Sequence, residues 1–224
     1  MSRDPSVVIS ANLLMAKRVF DVMAAAVAVV LLSPVFVVVP LLIKLTSPGP
    51  VFFHQTRIGL CGKAFRIFKF RTMMEHDENG AAKITVGEDG RITWLGRLLR
   101  KSKLDELPQL LNVLRGEMSL IGPRPEVPEY VEKYSPDDRR VVLSVRPGLS
   151  DFASIRFYNE SEILAAQPNP HAYYEQKLLP DKLRYGRFYV RRAGVCLDLK
   201  LILWTILAVL GWTPRSFRPK RPIE

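Results

Sequence analysis

The segment Arg97-Leu98-Leu99-Arg100-Lys101-Ser102-Lys103-Leu104-Asp105-Glu106-Leu107-Pro108-Gln109 sets two adjacent carboxylates directly behind a cluster of cations. Pro108 decides how it folds. Proline has no N–H, and a helix tolerates it in the first turn, where that donor has no intrahelical acceptor anyway. The spacing therefore predicts a helix over residues 104–114, with Gly116 as its stop. Leu104, Leu107, Leu111 and Leu114 recur on one face, which is expected to pack inward. Asp105 and Glu106 then fall in the first turn, where backbone N–H groups and the helix dipole favour negative charge.

Helix-capping acids are common, so a purely structural role for the pair is one reading. The neighbours favour another. Arg97, Arg100, Lys101 and Lys103 lie close by in sequence. Cations beside carboxylates keep them ionised and can also hold a phosphate. A carboxylate, a divalent metal and an arginine are what displacement at phosphorus requires.

The rest of the composition agrees with an anionic partner. The formal net charge is +11, which suits nucleic acid, an acidic lipid surface or a phosphorylated substrate. Cys61 and Cys196 lie too far apart in sequence to suggest a disulfide framework or a zinc site. His54, His76 and His171 are isolated, which argues against a histidine-based metal site. No P-loop, dinucleotide fingerprint or nucleic-acid recognition motif is present.

Apolar residues concentrate at the two ends. Residues 19–43 are long and apolar enough to cross a bilayer, and too long for a cleaved signal peptide. Ser33-Pro34 interrupts the run and Pro40 follows. Pro34 removes a hydrogen bond to the Val30 carbonyl, and the Ser33 hydroxyl is expected to satisfy part of the freed backbone. Both flanks are basic: Lys17 and Arg18 before, then Lys44, Arg57, Arg66, Lys69 and Arg71. Basic flanks belong on the cytoplasmic side. A helix that enters, breaks at Ser33-Pro34 and returns by the same face satisfies both flanks, with Asp21 pairing Lys17 or Arg18. Residues 193–212 form a second apolar block, but Asp198 and Lys200 resist a bilayer core. Arg191 and Arg192 precede it; Arg215, Arg218, Lys220 and Arg221 follow. An interfacial helix is expected there. Residues 1–16 show no clear structure.

Between the blocks, residues 51–57 and 65–71 read as a hairpin around Gly59-Leu60-Cys61-Gly62. Phe68 and Phe70 would face one way, Lys69 and Arg71 the other, either to solvent or to phosphate. Residues 75–90 read as a polar loop. Gly122-Pro123-Arg124-Pro125 presents an arginine on a backbone stiffened from both sides, a good anion clamp. Residues 127–144 read as helical. Arg146-Pro147-Gly148-Leu149 is a second stiff basic turn, followed by short helices at 153–163 and 172–183. The fold class is mainly α with a small β-hairpin, an α+β chain. Its expected parts are a membrane segment at 1–46, a catalytic domain at 47–190 and an interfacial helix with a basic tail at 191–224.

The chain resembles the bacterial sugar transferases known as monotopic phosphoglycosyl transferases. The motifs that carry the resemblance run from Lys17 to about Lys200. They are Lys17-Arg18-Val19-Phe20-Asp21, Ser33-Pro34, Ser47-Pro48-Gly49-Pro50, Phe68-Lys69-Phe70-Arg71-Thr72-Met73, Leu104-Asp105-Glu106-Leu107-Pro108-Gln109 and Gly122-Pro123-Arg124-Pro125. The resemblance implies a re-entrant helix broken at Ser33-Pro34 and a catalytic domain on the cytoplasmic face of the bacterial inner membrane. It implies an Asp105-Glu106 dyad working with Mg²⁺, a phosphate-contacting Arg100 and a functional Arg124. Two departures are visible. Lys103 stands where Ser or Thr is usual, and Ser150-Asp151 follow the Arg146 turn where many relatives have Thr-Gly.

The function so implied is transfer of a sugar 1-phosphate from a UDP-sugar to a polyprenyl phosphate, with UMP leaving. Asp105 is the expected nucleophile, because no serine–histidine or cysteine–histidine pairing is available. Proximity to Arg100 is expected to keep it ionised. Lys69, Arg71, Arg100, Arg124 and Arg146 are the candidate phosphate contacts. Ser33, Pro34, Pro123 and Pro125 are candidate shaping residues. Expected partners are the two substrates and anionic headgroups, with a homodimer left open and nucleic acid not expected. A basic peripheral membrane scaffold without chemistry is the rival class; it has no need for the acidic dyad or the Pro-Arg-Pro turn.

Overall fold

A computed structural model of the chain describes residues 11–74 and 89–212. Most of the expected loop at 75–90, and the basic tail from 213 onward, lie outside the described residues.

The N-terminal apolar run forms two helices, α1 (Ala11–Leu31) and α2 (Ser33–Thr46), bent by 60° at the break. No single described helix is long and apolar enough to cross a membrane; only the two helices of this bent pair together reach that length and apolar character. α1 starts earlier than expected, within residues that read as structureless. Distant partners extend it: Lys17 is buried, and Arg18 donates to the carbonyls of Val113 and Leu114 at 2.7 and 3.1 Å. Pro34 occupies the start of α2, where its missing N–H costs nothing, so it opens a helix and does not kink one. The Leu32 carbonyl accepts from Val35 and Phe36. The Ser33 hydroxyl makes no hydrogen bond among the described residues, so the expected hydroxyl repair is not seen. Ala25 of α1 and Val39 and Ile43 of α2 pack into the protein, while Val19, Met23, Val27, Val30, Val37, Val38, Leu41 and Leu45 are exposed.

The hairpin forms one residue out of the expected bounds. β1 (Phe52–Ile58) pairs antiparallel with β2 (Ala64–Phe70), from Phe52 opposite Phe70 to Ile58 opposite Ala64. α3 (Trp94–Lys101) docks on its far end. Gly96 makes that possible, since a Cβ there would lie 2.1 Å from the Thr72 carbonyl oxygen. The Thr93 hydroxyl caps α3 by accepting from the Gly96 N–H at 2.9 Å.

The acidic segment is not the single helix expected. Leu104–Glu106 form a 3₁₀ turn, and α4 (Gln109–Arg115) begins only after Pro108. Gly116 does stop α4, with φ +83°. The change of pitch rotates the buried face. Gln109, Leu110, Asn112 and Val113 are buried, whereas Leu104, Leu107, Leu111 and Leu114 are only half-buried. Asn112 ties α4 to β2: its Oδ1 accepts from the Phe68 N–H at 3.0 Å and its Nδ2 donates to the Arg66 carbonyl at 2.8 Å.

The apolar run before the Pro-Arg-Pro turn reads as a short strand and forms β3 (Ser119–Ile121); its parallel partner β4 (Gly148–Ser150) was not suggested by the sequence. The two backbones meet at Gly148, where a Cβ would lie 2.1 Å from the Gly122 nitrogen. Residues 127–144 hold two helices, α5 (Pro128–Glu132) and α6 (Pro136–Val142), divided by Pro136 at the start of the second. α7 (Phe152–Arg156), α8 (Glu160–Ala165) and α9 (Pro170–Tyr173) follow. A single π turn leads from α9 into α10 (Leu179–Arg192). α11 (Val195–Val209) closes the described chain. Its Leu201 is fully buried with Ile121, Phe152, Tyr185 and Tyr189, so one face belongs to the core. Asp198 also points inward, to Lys17 at 2.5 Å and the Tyr189 hydroxyl at 2.7 Å. Asp21 lies 3.8 Å from Lys17 and accepts from the Leu120 N–H, as part of the same buried cluster. The outer face of α11 exposes Leu199, Leu203 and Ile206, continued by Leu210 and Trp212.

Candidate active site

A cleft of about 1410 Å³ collects Lys69, Arg71, Arg100, Asp105, Glu106 and Arg124 from segments distant in sequence. Ala24, Ala28 and Leu32 of α1 and the break line it too, as do Thr205 and Ile206 of α11. Polar and apolar walls therefore meet in one space.

Each charged side chain arrives by a local reason. Lys69 projects from β2 and donates to Glu106 Oε1 at 2.8 Å. Arg124 follows β3; its own N–H donates to Asp151 Oδ2 at 3.3 Å, while the Pro123 carbonyl accepts from the Gly148 N–H at 3.0 Å. Held this way, its guanidinium grips Glu106 through both nitrogens, at 2.5 and 3.1 Å. Arg100, at the last turn of α3, donates Nε to the Thr72 hydroxyl at 2.9 Å. Arg71 donates to the carbonyl and hydroxyl of Ser47, leaving its Nε and Nη1 buried without partners.

The two acids of the dyad are unlike. Both oxygens of Glu106 are engaged. Burial opposes its ionisation, but Arg124 and Lys69 outweigh burial and hold it well below the usual carboxylate range. Arg124 is pushed upward in turn, chiefly by Glu106. Asp105 is only 7% exposed, and its Oδ1 has no hydrogen-bond partner. Burial, then the charge of Glu106, raises its pKa, with Lys69, Lys103 and Arg100 opposing. The sequence assigned the neighbouring cations, Arg100 above all, to Asp105; the fold instead brings Lys69 and Arg124 from distant segments and pairs them with Glu106. Burial also lowers the pKa of Arg100 and of Lys103.

Arg146 is not in this cleft. Its Nε donates to the Gly116 carbonyl at 2.9 Å, capping α4, and it lines a separate small cavity with Lys17, Arg18, Asp21 and Tyr189. Ser33, Pro34, Pro123 and Pro125 do not line the main cleft; they shape the segments beside it. A second charged group lines the cleft that sequence reasoning missed. The Tyr174 hydroxyl donates to Glu126 Oε1 at 2.6 Å, and Lys182 lies 3.4 Å from that oxygen and 2.9 Å from Glu160. Arg57 lies 3.6 Å from Glu126 Oε2. Burial works against the Glu126 charge, yet Lys182 and Arg57 bring its pKa below the ordinary value. Only Glu126, directly after the Pro-Arg-Pro turn, carried any local signal.

The arrangement suits a phosphate ester. One desolvated carboxylate is presented beside cations, with an apolar wall that includes Ala24 and Ala28 of α1 and Leu32 at the break. For a divalent cation the donor set is thin but apt. Among the described residues no cluster of three or more metal-ligating side chains occurs. The orphaned Asp105 Oδ1 is one vacant carboxylate position. Mg²⁺ characteristically takes one or two carboxylates and completes its shell with water and phosphate oxygens, so the site fits it through Asp105. Both Glu106 oxygens are engaged by Lys69 and Arg124.

The family model for bacterial sugar transferases matches residues 12–212. The chain is 36% identical over 200 residues to the UDP-N-acetylgalactosamine-undecaprenyl-phosphate N-acetylgalactosaminephosphotransferase of Aeromonas hydrophila, covering 87% of this chain and 43% of that protein. It is 38% identical over 206 residues to the UDP-glucose:undecaprenyl-phosphate glucose-1-phosphate transferase of Caulobacter vibrioides, covering 87% and 69%. With the exopolysaccharide production protein ExoY of Rhizobium meliloti it shares 44% identity over 211 residues, covering 87% and 85%. The chain thus spans less than half of the Aeromonas relative and most of the rhizobial one.

Proposed function

From the premise that this chain belongs to the bacterial sugar transferase family, we propose that it transfers a sugar 1-phosphate from a UDP-sugar to undecaprenyl phosphate and releases UMP. The observation that carries the reading is the buried Asp105 carboxylate, its Oδ1 unpartnered, in a cleft shared by cations and by the apolar residues Ala24, Ala28 and Leu32 of α1 and the break. Both substrates are anions and one is greasy; the cleft offers a matching wall to each.

Asp105 acts as nucleophile. One carboxylate oxygen attacks the sugar-bearing phosphorus, the bond from that phosphorus to the UMP oxygen breaks, and UMP departs with the electron pair. An acyl phosphate-sugar remains on Asp105. A phosphate oxygen of the lipid then attacks the same phosphorus, the bond to Asp105 breaks, and the carboxylate is regenerated as the lipid diphosphate sugar leaves. Desolvation favours the attack, since a buried carboxylate has little hydration to shed. Arg100 and Arg71 hold phosphate oxygens through donors the protein leaves unused. Glu106 keeps Lys69 and Arg124 aligned at the rim and positions them toward the incoming phosphate. Mg²⁺, held by Asp105, would supply neutralisation of the diphosphate charge.

In this reading α1 and α2 dip into the inner membrane and return to its cytoplasmic face, with their exposed valines and leucines in the acyl region. The outer face of α11 rests at the interface. The transfer then opens assembly of a lipid-linked glycan, as the exopolysaccharide names of the rhizobial relatives suggest.

The test is UMP release from a panel of UDP-sugars with undecaprenyl phosphate and Mg²⁺. No release with any sugar overturns the reading. Intact-protein mass spectrometry without lipid then tests the covalent step: one sugar phosphate per chain is expected, on the peptide containing Asp105. Turnover with lipid but no mass increase without it assigns direct attack by the lipid instead.

A further inference from the structure

The cations of the cleft divide by what holds them. Lys69 and Arg124 are committed to Glu106, Arg57 and Lys182 to Glu126, and Arg91 to Asp89. Lys103 also lines the cleft, two positions before Asp105. Among the described residues no ion pair joins it to a carboxylate. Its Nζ rests 4.9 Å from the centre of the Tyr158 ring, and the Tyr158 hydroxyl is anchored on the Lys101 carbonyl at 3.1 Å.

The backbone at Lys103 is left-handed, with φ 56° and ψ 14°. This tight reversal joins α3 to the 3₁₀ turn. The Lys103 N–H donates to the Arg100 carbonyl and its own carbonyl accepts from the Glu106 N–H, both at 3.2 Å. Glycine makes such a reversal without penalty and an L side chain does not. Strain of this kind at the edge of a site points to use of the side chain. The reversal turns a flexible ammonium into the cleft beside the dyad, and a ring is a weak perch that an oxyanion easily outbids.

Building on the reaction proposed above, we propose that Lys103 is a substrate-contacting residue, which leaves the Tyr158 ring to bind a phosphate oxygen of a bound substrate. The phosphate belongs either to the nucleotide diphosphate or to the lipid, and kinetics separates the two.

The experiment compares wild type with Lys103→Ser, Lys103→Gly and Tyr158→Leu in the full chain. For Lys103→Ser and Lys103→Gly, the effect falls on KM, which rises about tenfold for the substrate whose phosphate is held. A rise for the UDP-sugar names the diphosphate, and a rise for undecaprenyl phosphate names the lipid. Lys103→Gly relieves the left-handed strain, so its melting temperature does not fall; a lysine that served only the backbone would leave KM unchanged in it. Tyr158→Leu removes the perch and spares the contact, so its KM changes by less than that of Lys103→Ser. Unchanged KM for both substrates in an active Lys103→Ser or Lys103→Gly overturns the proposal while the reaction stands. If wild type releases no UMP, the reaction fails separately, and Lys103 is judged by calorimetric titration with inorganic pyrophosphate. Binding weakened about tenfold in Lys103→Ser supports it; equal affinity, or no binding by wild type, overturns it.

Discussion

Two groups of buried charge in this chain both set carboxylates beside cations and end differently. In the cluster of Lys17, Asp21, Asp198 and Tyr189, every side-chain polar atom has a partner within the protein. The Tyr189 hydroxyl even bridges Asp198 and the Ile121 carbonyl, at 2.7 and 3.0 Å. In the cleft around Asp105, by contrast, Asp105 Oδ1 and two nitrogens of Arg71 are buried and unmatched. Native proteins rarely leave such atoms without partners, because each forfeits its hydration for nothing. The closed cluster joins the first and last described helices and serves the fold. The open one is complete only when something anionic or cationic enters it. Buried charge alone does not mark a site; here the unmatched Asp105 and Arg71 atoms lie together in the cleft.

The largest expected effect tests the open cluster. Asp105→Asn should lower UMP release by about 10³-fold or more, as loss of a nucleophile does. The same change should leave the melting temperature equal or higher, because it removes a carboxylate that burial and Glu106 already disfavour. A melting temperature that falls sharply with activity would make Asp105 structural and erase the contrast.

Lys17→Met tests the closed cluster. It leaves Asp198 and Asp21 buried without their cation, at a cost of about 3 kcal/mol in a urea or guanidinium titration. The turnover of the folded fraction should change little. A large loss of turnover in fully folded protein would mean that the two clusters are coupled.

Arg124→Lys keeps the charge and loses the two-nitrogen grip on Glu106. We expect kcat/KM to fall by about 10- to 100-fold. Wild-type kinetics would show that a point charge suffices at the rim.

The smallest effect is the pH dependence of stability, and it has opposite signs at adjacent residues. The folded Asp105 pKa lies above its ordinary value of 3.8, so its contribution is full below the unfolded value and is lost as pH rises through the folded one. The folded Glu106 pKa lies below 4.5, so its contribution is present above that value and is lost as pH falls toward the folded one. Denaturation midpoints measured from about pH 3 to pH 8 should show Asp105→Asn gaining on wild type with rising pH, and Glu106→Gln losing. Parallel curves would mean that the two acids share one environment.

Local chemistry was legible wherever one residue dictates a backbone. Gly116 ended α4, Ser33-Pro34 opened α2, and the glycines at 59 and 62 bounded the hairpin turn. The helix expected over residues 104–114 failed in the middle, because Pro108 was compatible with a single first turn and equally with a 3₁₀ turn followed by a fresh start. Asn112, anchored on β2, is the residue that selects the second arrangement, and nothing in its own neighbourhood announces it.

What the sequence determined by itself was the inventory: a broken apolar entry, a hairpin, an acidic dyad among cations, a rigid arginine turn. These follow from steric limits on proline and glycine and from hydrophobic periodicity, which act within a few residues. What the tertiary structure alone decided was who pairs with whom. Lys69 and Arg124, not the neighbouring Arg100, neutralise the dyad, and they choose Glu106 over Asp105. Arg146 caps a helix, and Glu126 recruits Lys182 from far along the chain. Ion pairing depends on distance and desolvation in three dimensions, and neither is written in the spacing of charges along a chain.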